Sequence, residues 1–253
     1  MASPAYVVGL PSRDIIQIPG VIAVCERDDG TIWLVDAGWS AEVCANPKSL
    51  GRLRRLSLGV RLQRGDDMAS QLRAAGLDPA RVTAVVATHL HLDHVGGVAD
   101  FPNAELIATH NEVAAAYRAS WIDAYRKQDI ERVERLRLVR LRDEPRLGFP
   151  RSASIDDDVV LLDTHGHTAG HTAVLLREGS KTWIHAGDAA YRRGELSMHL
   201  LAPLSRMMAH DPTAARDAQR RLRACEADAS RPTLVFSHDA PGFATLPQLG
   251  TAT

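Results

Sequence analysis

The chain has 253 residues, of which 45% are hydrophobic and 24% are charged. This is ordinary globular composition, and it excludes an intrinsically disordered or fibrous chain. The formal net charge of −1 provides no global basic field that would favour binding to nucleic acid or to a membrane surface. For this length, the simplest organisation is a single domain that spans residues 1–253.

Cysteine usage and the N-terminal sequence indicate the compartment. The three cysteines are widely spaced, at Cys25, Cys44 and Cys225, which disfavours a disulfide framework and a thiolate zinc site. The first 20 residues lack the basic start and apolar run of a signal peptide. No window approaches the roughly 18 uninterrupted apolar residues of a membrane span. We therefore expect a soluble cytoplasmic protein.

Predicted strands and helices alternate along the chain, which is typical of a layered α/β fold. The predicted strands are short apolar runs, at residues 21–25, 31–35, 82–87, 105–108, 159–163, 172–176, 182–185 and 234–237. Helix caps predict one helix from Asp66 or Asp67 to Ala75 and another from Asp211 to about Ala227. Apolar residues at spacings of 3 to 5 predict that residues 111–141 are mostly helical.

The segment HLHLDH at residues 89–94 concentrates metal-binding side chains directly after a predicted strand. His89 and His91 lie two residues apart, so in an extended or turning backbone their imidazoles can face one point. Asp93 and His94 follow as the chain turns, and they can face a second point a few Å away. Four potential ligands in six residues is the density needed for two metal ions about 3.5–4 Å apart.

Three further segments carry candidate ligands after an apolar strand. They are THGHTAGH at residues 164–171, AGD at 186–188 and SHD at 237–239. A single histidine in any of them is most simply a packed core or surface residue. Several such segments at strand ends favour a shared site instead.

Together these segments resemble the metallo-β-lactamase superfamily. The pattern HxHxDH occupies residues 89–94, GHTxGH occupies 166–171, and D-x-G begins at Asp36. The resemblance implies an α/β fold, namely a four-layer αββα sandwich. It also implies seven metal-binding residues, with His89, His91 and His167 on one ion, Asp93, His94 and His238 on the other, and Asp188 bridging the two.

The resemblance implies a cofactor of two divalent metal ions. The ligands are all nitrogen or oxygen donors, which suits zinc and leaves iron, manganese or cobalt open. A water bridging two such cations would be a hydroxide near neutral pH, and therefore a nucleophile. His171 is expected to support the ligand loop, and Asp36 is expected to orient the first ligands.

Within the superfamily, the chain looks most like the N-acyl-homoserine lactone lactonases. Tyr191 lies three residues after Asp188, where the resemblance implies a hydroxyl that points at the substrate carbonyl. Asp93 or a metal-bound water would return a proton to the leaving ring oxygen. The segment about 111–141 would form a helical cap over the site. The implied partner is a small-molecule lactone or ester, and a homodimer is left open.

Several alternatives remain open at this stage. The same ligands serve glyoxalase II-like thioesterases and other ester or phosphoester hydrolases. Few residues follow His238, which disfavours the C-terminal helical region of the glyoxalase II type. A non-enzymatic metal-binding scaffold is disfavoured because all seven positions hold the expected residue type. Five arginines between residues 51 and 64 are expected to form a solvated loop, with an anion-binding rim, an acidic substrate or a subunit contact as the alternatives.

Overall fold

A computed structural model of the chain contains two five-stranded sheets, and short apolar runs of the sequence form their strands. The structure describes residues 2–4, 15–57, 59–120, 123–228 and 232–249. The first sheet contains, in spatial order, β3 (Ala23–Glu26), β4 (Ile32–Val35), β5 (Val82–Val86), β6 (Glu105–Thr109) and β7 (Leu136–Val139). The second sheet contains β12 (Thr233–Val235), β11 (Lys181–His185), β10 (Thr172–Glu178), β9 (Val159–Asp163) and β8 (Ser152–Ser154). A separate antiparallel pair is formed by β1 (Ala2–Pro4) and β2 (Ile15–Gln17).

Strand direction brings several loops to one edge of the sandwich. In the first sheet β4, β5, β6 and β7 run parallel to one another, and β3 pairs antiparallel with β4. In the second sheet the pairs from β8 to β11 are antiparallel, and β11 pairs parallel with β12. Parallel neighbours end at the same edge, so the loops after β4 and β5 lie side by side, as do those after β11 and β12.

The side-chain alternation of the strands divides the core into layers. Between the two sheets lies a cluster of Val35, Ala84, Val86, Ile107, Ile155, Val159, Leu161 and Val174. The alternate residues face outwards, where Leu34 and Leu106 pack against the helical residues Leu72 and Val113. On the other side, Ile184 and the second sheet pack against the last long helix. The result is the predicted four-layer αββα sandwich.

Several of the helices begin at a residue whose side chain caps them. The helices are α1 (Ala41–Ala45), α2 (Arg52–Ser57), α3 (Met68–Ala74), α4 (Leu92–Val95), α5 (His110–Arg118), α6 (Lys127–Glu131), α7 (Pro203–Met208), α8 (Pro212–Cys225) and α9 (Ala240–Phe243). The Asp67 carboxylate accepts from Ser70 N at 2.8 Å, which caps α3 as predicted. Asp211 caps α8 by accepting from the backbone of Thr213 and Ala214, as the sequence predicts.

The prediction of a mostly helical segment at 111–141 is wrong in its second half. Helix α5 ends at Arg118, α6 is a short helix, and residues 136–139 form the strand β7. Within that strand Leu136 pairs with Leu106 of β6, in parallel register. The apolar residues near position 136 fit a helical stripe and an alternating strand equally well, and the available sheet edge decides between them. The predicted helical cap therefore extends at most over α5 and α6.

The described residues hold no helix that is long and apolar enough to cross a membrane.

Candidate metal centre

Each segment that carries a candidate ligand begins where a strand ends. The HLHLDH segment follows β5, His167 follows β9, Asp188 follows β11 and His238 follows β12. Strands from both sheets therefore deliver polar side chains to one rim of the sandwich. This is the usual place for a site in layered α/β proteins, because loops at strand ends are free to vary while the sheets stay rigid.

The structure brings all seven predicted residues together. Their ligand atoms fall into three groups whose members lie within 4.8 Å of one another, namely His89, His91 and His167; His89, His94 and Asp188; and Asp93, His94 and His238. The first and third groups have the composition predicted for the two ions. We call them the first triplet and the second triplet.

Asp188 lies between the two triplets. One carboxylate oxygen is 3.5 Å from Nε2 of His167, which belongs to the first triplet. The other is 3.4 Å from Nε2 of His94 and 3.2 Å from Nε2 of His238, which both belong to the second. A single carboxylate therefore contacts both groups, as a bridging ligand would.

Unpartnered atoms at the centre of the site fit bound cations. Among the described residues, Nε2 of His89, Nε2 of His94, Nε2 of His238 and one oxygen of Asp188 are buried without a hydrogen bond of acceptable geometry. Buried polar atoms are rarely left unpaired, because an unpaired group loses its hydration without compensation. Imidazole nitrogens and carboxylate oxygens that converge in this way match the donor set of Zn²⁺ and similar divalent ions.

The histidines of the first triplet are held neutral. Burial lowers the pKa of His91 and of His167 to about 3 each, because a charged imidazole is poorly solvated there. Burial also lowers the pKa of His89 well below its ordinary value. Neutral imidazole is the form that binds metal, so these side chains need not lose a proton first.

The second triplet has the opposite electrostatics. Burial disfavours the charged form of His94, but the carboxylates of Asp188 and Asp36 outweigh burial and raise its pKa well above the ordinary value. The pKa of His238 is also raised, since Asp188 outweighs burial there. Burial likewise opposes ionisation of Asp188, yet His238 and His94 hold its pKa well below its usual range. A cation bound here competes with protons for the imidazoles of His94 and His238.

A layer of hydrogen bonds orients the ligands from behind. Asp36 has φ of 62°, and this strained turn directs its carboxylate to His94 Nδ1 at 2.8 Å. The same carboxylate accepts from Thr88 N at 2.8 Å, and it thereby ties the HLHLDH segment to β4. His171 accepts from Asp188 N at 3.0 Å through its Nε2. Asp36 and His171 thus make contacts of the kind expected for supporting residues, and their roles toward a metal stay predictions.

Three supporting residues were missed from sequence. Glu112, in the first turn of α5, accepts from Leu90 N at 2.9 Å and from Gly170 N at 3.0 Å. Tyr125 donates to Glu112 at 2.9 Å, and its ring packs edge-on to His91 with centroids 4.7 Å apart. The backbone oxygen of Pro19 lies 2.6 Å from Nδ1 of His238. No local motif marks these residues, because their partners are distant in sequence.

Tyr191 lies beside the candidate metal site. Its side chain is 5% exposed, and its ring centroid is 5.2 Å from that of His238 and 6.0 Å from that of His167. Burial raises the pKa of Tyr191 well above its ordinary value, and the charge of Asp188 adds to the effect. Its phenol is therefore neutral and next to members of both triplets.

The remaining predicted features have ordinary structural partners. His165 lies 2.8 Å from the Asp163 carboxylate, and His185 lies 3.1 Å from the backbone oxygen of Val21. Both were expected to pack rather than to bind metal. Part of the arginine-rich stretch forms α2, from which Arg54 donates to the backbone oxygen of Tyr125 at 2.9 Å.

Two relatives of similar sequence are described as a probable metallo-hydrolase and as a lactonase. The protein named "Probable metallo-hydrolase Rv2300c" from Mycobacterium tuberculosis is 32% identical over 212 residues, covering 79% of this chain and 68% of the relative. The N-acyl homoserine lactonase AttM from Agrobacterium fabrum is 30% identical over 171 residues, covering 62% of this chain and 60% of the relative.

Solved structures share the fold of this chain, and a family model matches its sequence. A crystal structure of an N-acyl homoserine lactone hydrolase, with N-hexanoyl-L-homoserine bound at its catalytic metal center, superimposes with a TM-score of 0.75 at 20% identity, covering 97% of this chain and 92% of that one. The family model of the metallo-β-lactamase superfamily matches residues 19–238. With the sandwich and its seven-residue cluster in place, the chain belongs to the metallo-β-lactamase superfamily.

Proposed function

We propose that this chain is a dinuclear metal-dependent hydrolase that opens N-acyl-homoserine lactones or related lactones. The observation that carries the proposal is the position of Asp188, whose two oxygens lie 3.2–3.5 Å from imidazoles of both triplets. A carboxylate shared in this way suits two cations about 3.5–4 Å apart, the spacing of two-metal hydrolases. Zinc fits the donor set best, and iron, manganese or cobalt would fit as well.

The chain's own residues suit attack on a carbonyl. When bound, the two cations would supply Lewis-acid polarisation and lower the pKa of coordinated water. Tyr191 presents a neutral phenol, which can donate to the carbonyl oxygen as negative charge develops there. Asp188 holds the two triplets together, and His94 is kept in orientation by Asp36 at 2.8 Å.

Proton transfer falls to Asp93. It is half-buried and lies with His94 and His238 in the second triplet, so it is near the place where the ring oxygen would leave. In lactone hydrolysis the ring C–O bond breaks, the oxygen of water joins the carbonyl carbon, and one proton goes to the leaving oxygen. An Asp93 carboxylate can accept the proton of the attacking water and return it to that oxygen.

The substrate class is supported by the relatives. The lactonase AttM shares 30% identity with this chain, and solved lactonases share its fold. The same seven residues would also serve a thioester or a phosphoester, which makes these substrates the comparison to test. The cytoplasmic location stays a prediction, and the oligomeric state stays open.

A substrate panel tests the proposal. Protein reloaded with Zn²⁺ would be assayed on N-hexanoyl-L-homoserine lactone, an acyl thioester, an aryl phosphodiester and a β-lactam. We expect kcat/KM for the lactone to exceed each of the others by at least about tenfold, since the site discriminates by transition-state binding. Turnover of another class without any lactone turnover would refute the lactonase assignment and leave a broader hydrolase.

A further inference from the structure

The carboxylate of Glu112 is buried between the two loops that carry the first triplet. The side chain is 1% exposed. One oxygen accepts from Leu90 N and from Tyr125 OH, at 2.9 Å each. The other accepts from Thr168 Oγ1 at 2.6 Å and from Gly170 N at 3.0 Å. A carboxylate offers about four lone-pair positions, so its hydrogen-bonding capacity is filled.

Three of the four donors are adjacent to a residue of the first triplet or in contact with one, and the fourth, Gly170, lies further along the His167 loop. Leu90 lies between His89 and His91 in the chain. Tyr125 packs edge-on against the ring of His91, with centroids 4.7 Å apart. Thr168 directly follows His167. A single side chain therefore links the segment that carries two of the three ligands to the loop that carries the third.

A second contact between the same elements makes this link rigid. Thr109 caps α5 by accepting from Glu112 N at 3.2 Å, and it donates to the backbone oxygen of Gly170 at 2.8 Å. A Cβ atom at Gly170 would lie 2.6 Å from Glu112 Cα, so the ligand loop lies directly on the first turn of the helix. Neither contact involves the second triplet.

The second triplet is oriented by other groups. His94 is held by Asp36 at 2.8 Å, and His238 is held by the backbone oxygen of Pro19 at 2.6 Å. Asp188, which contacts both triplets, donates from its N to His171 at 3.0 Å. Asp36 also accepts from Thr88 N, directly before His89, so it serves both triplets. The hydrogen bonds of the Glu112 carboxylate reach neither His94 nor His238, so this side chain can be changed without removing their direct contacts.

We infer that Glu112 is a positioning residue that fixes the spacing between the His89–His91 segment and the His167 loop, and thereby selectively sets the affinity of the first metal ion. The inference rests on the proposed dinuclear function. Groups that orient metal ligands in other proteins typically contribute about 10–100-fold to metal affinity. Glu112 orients backbone and side chains on both sides of the triplet, so we expect an effect of that size.

The substitution Glu112→Gln separates positioning from simple packing. The amide has nearly the same volume, but it accepts through one oxygen and presents an NH2 group at the other position. Each oxygen of Glu112 accepts one backbone N–H, from Leu90 on one side and from Gly170 on the other. In either amide orientation, one backbone N–H faces another donor. Hydroxyl partners can rotate to adapt, and a backbone N–H cannot.

The experiment is a Zn²⁺ competition titration of metal-free protein against a chromophoric chelator, which yields the two binding constants separately. We expect Glu112→Gln to lower the affinity for one ion by about 10–100-fold and to leave the affinity for the other ion unchanged. The matched control is Glu195→Gln, which changes another fully buried glutamate, bonded to Ser205 and Gln219 and without a hydrogen bond to either loop of the first triplet among the described residues. The control should bind both ions like the wild type.

Unfolding of the metal-free proteins in urea, with chelator present, distinguishes a selective effect from a general loss of stability. The inference would be overturned if Glu112→Gln lowered the affinities for both ions equally, or if it left both affinities unchanged. Either result would leave the dinuclear wild type intact. A wild type that binds fewer than two ions would instead overturn the proposed function. If Glu112→Gln does not fold, Tyr125→Phe removes one donor and keeps the ring on His91, and a smaller selective weakening is expected.

Discussion

Replacing Glu195 by glutamine should alter the pH dependence of stability in a defined direction. The side chain is 0% exposed, and one oxygen accepts from Ser205 Oγ at 2.7 Å and from Gln219 Nε2 at 3.3 Å. Its other oxygen is buried without a partner among the described residues. Burial raises the pKa of Glu195 from 4.5 to about 7, because an ionised carboxylate is poorly solvated there.

The sign of the effect follows from the two pKa values. The folded protein binds this proton more tightly than the unfolded chain, so wild-type stability falls as pH rises from 4.5 to about 7 and is constant above that range. A difference of about 2.5 pKa units corresponds to about 3 kcal/mol at most. Glutamine does not titrate, and its oxygen can still accept from Ser205 and Gln219. Glu195→Gln should therefore be more stable than the wild type at high pH.

Urea unfolding of metal-free protein at about pH 5 and about pH 8 measures this, and the gain of the variant should grow by up to about 2.5 kcal/mol between them. The control is Glu178→Gln, an exposed position at the end of β10, which should leave the profile unchanged. A difference between variant and wild type that is the same at both pH values would refute the reasoning. So would a gain that shrinks as pH rises.

Three further substitutions test the site and its packing. Asp188→Asn should weaken binding of the second metal ion and lower hydrolysis by roughly 10²-fold or more. The half-buried Asp156 belongs to none of the three groups of candidate ligands, so Asp156→Asn should do neither. Elemental analysis and kinetics measure both effects. Tyr191→Phe should lower kcat/KM for a lactone by about tenfold to a hundredfold while both ions stay bound, and equal small losses on every substrate would show that the ring only packs. Gly170→Ala should lower the free energy of unfolding by about 1–3 kcal/mol in thermal or urea unfolding, because its Cβ would lie 2.6 Å from a Cα atom of α5. A Cβ at Gly20 would meet no atom within 4 Å, so Gly20→Ala should be neutral.

The alternation of strands and helices and the segments that carry the candidate ligands were predictable because their signals are local, whereas the four-layer sandwich and the choice of seven residues were implied by the resemblance to the metallo-β-lactamase superfamily. Short apolar runs marked the strands, and the HLHLDH segment places four candidate ligands within six residues. The other ligands could be found because they also follow strands. Aspartate caps predicted the start of α3 and α8, since a cap acts within three residues of itself.

What the sequence could not show depends on distant partners. Glu112 bonds to groups 13, 22, 56 and 58 residues away, so no local pattern distinguishes it from a surface glutamate on a helix. Strand β7 was predicted as helix because its extended conformation is selected by a distant partner. Leu136 of β7 pairs with Leu106 of β6, which lies 30 residues earlier in the chain. Parallel pairing of this kind leaves no turn signal in the chain.

Metal-dependent lactone opening is tested most directly by titrating metal-free protein with Zn²⁺ and measuring ring opening of N-hexanoyl-L-homoserine lactone at each step. The seven converging ligands predict that turnover rises to a plateau at two equivalents of metal per chain. They also predict that the product is the ring-opened acid. A plateau at one equivalent would contradict the dinuclear site, and no lactone opening at any metal loading would contradict the lactonase assignment.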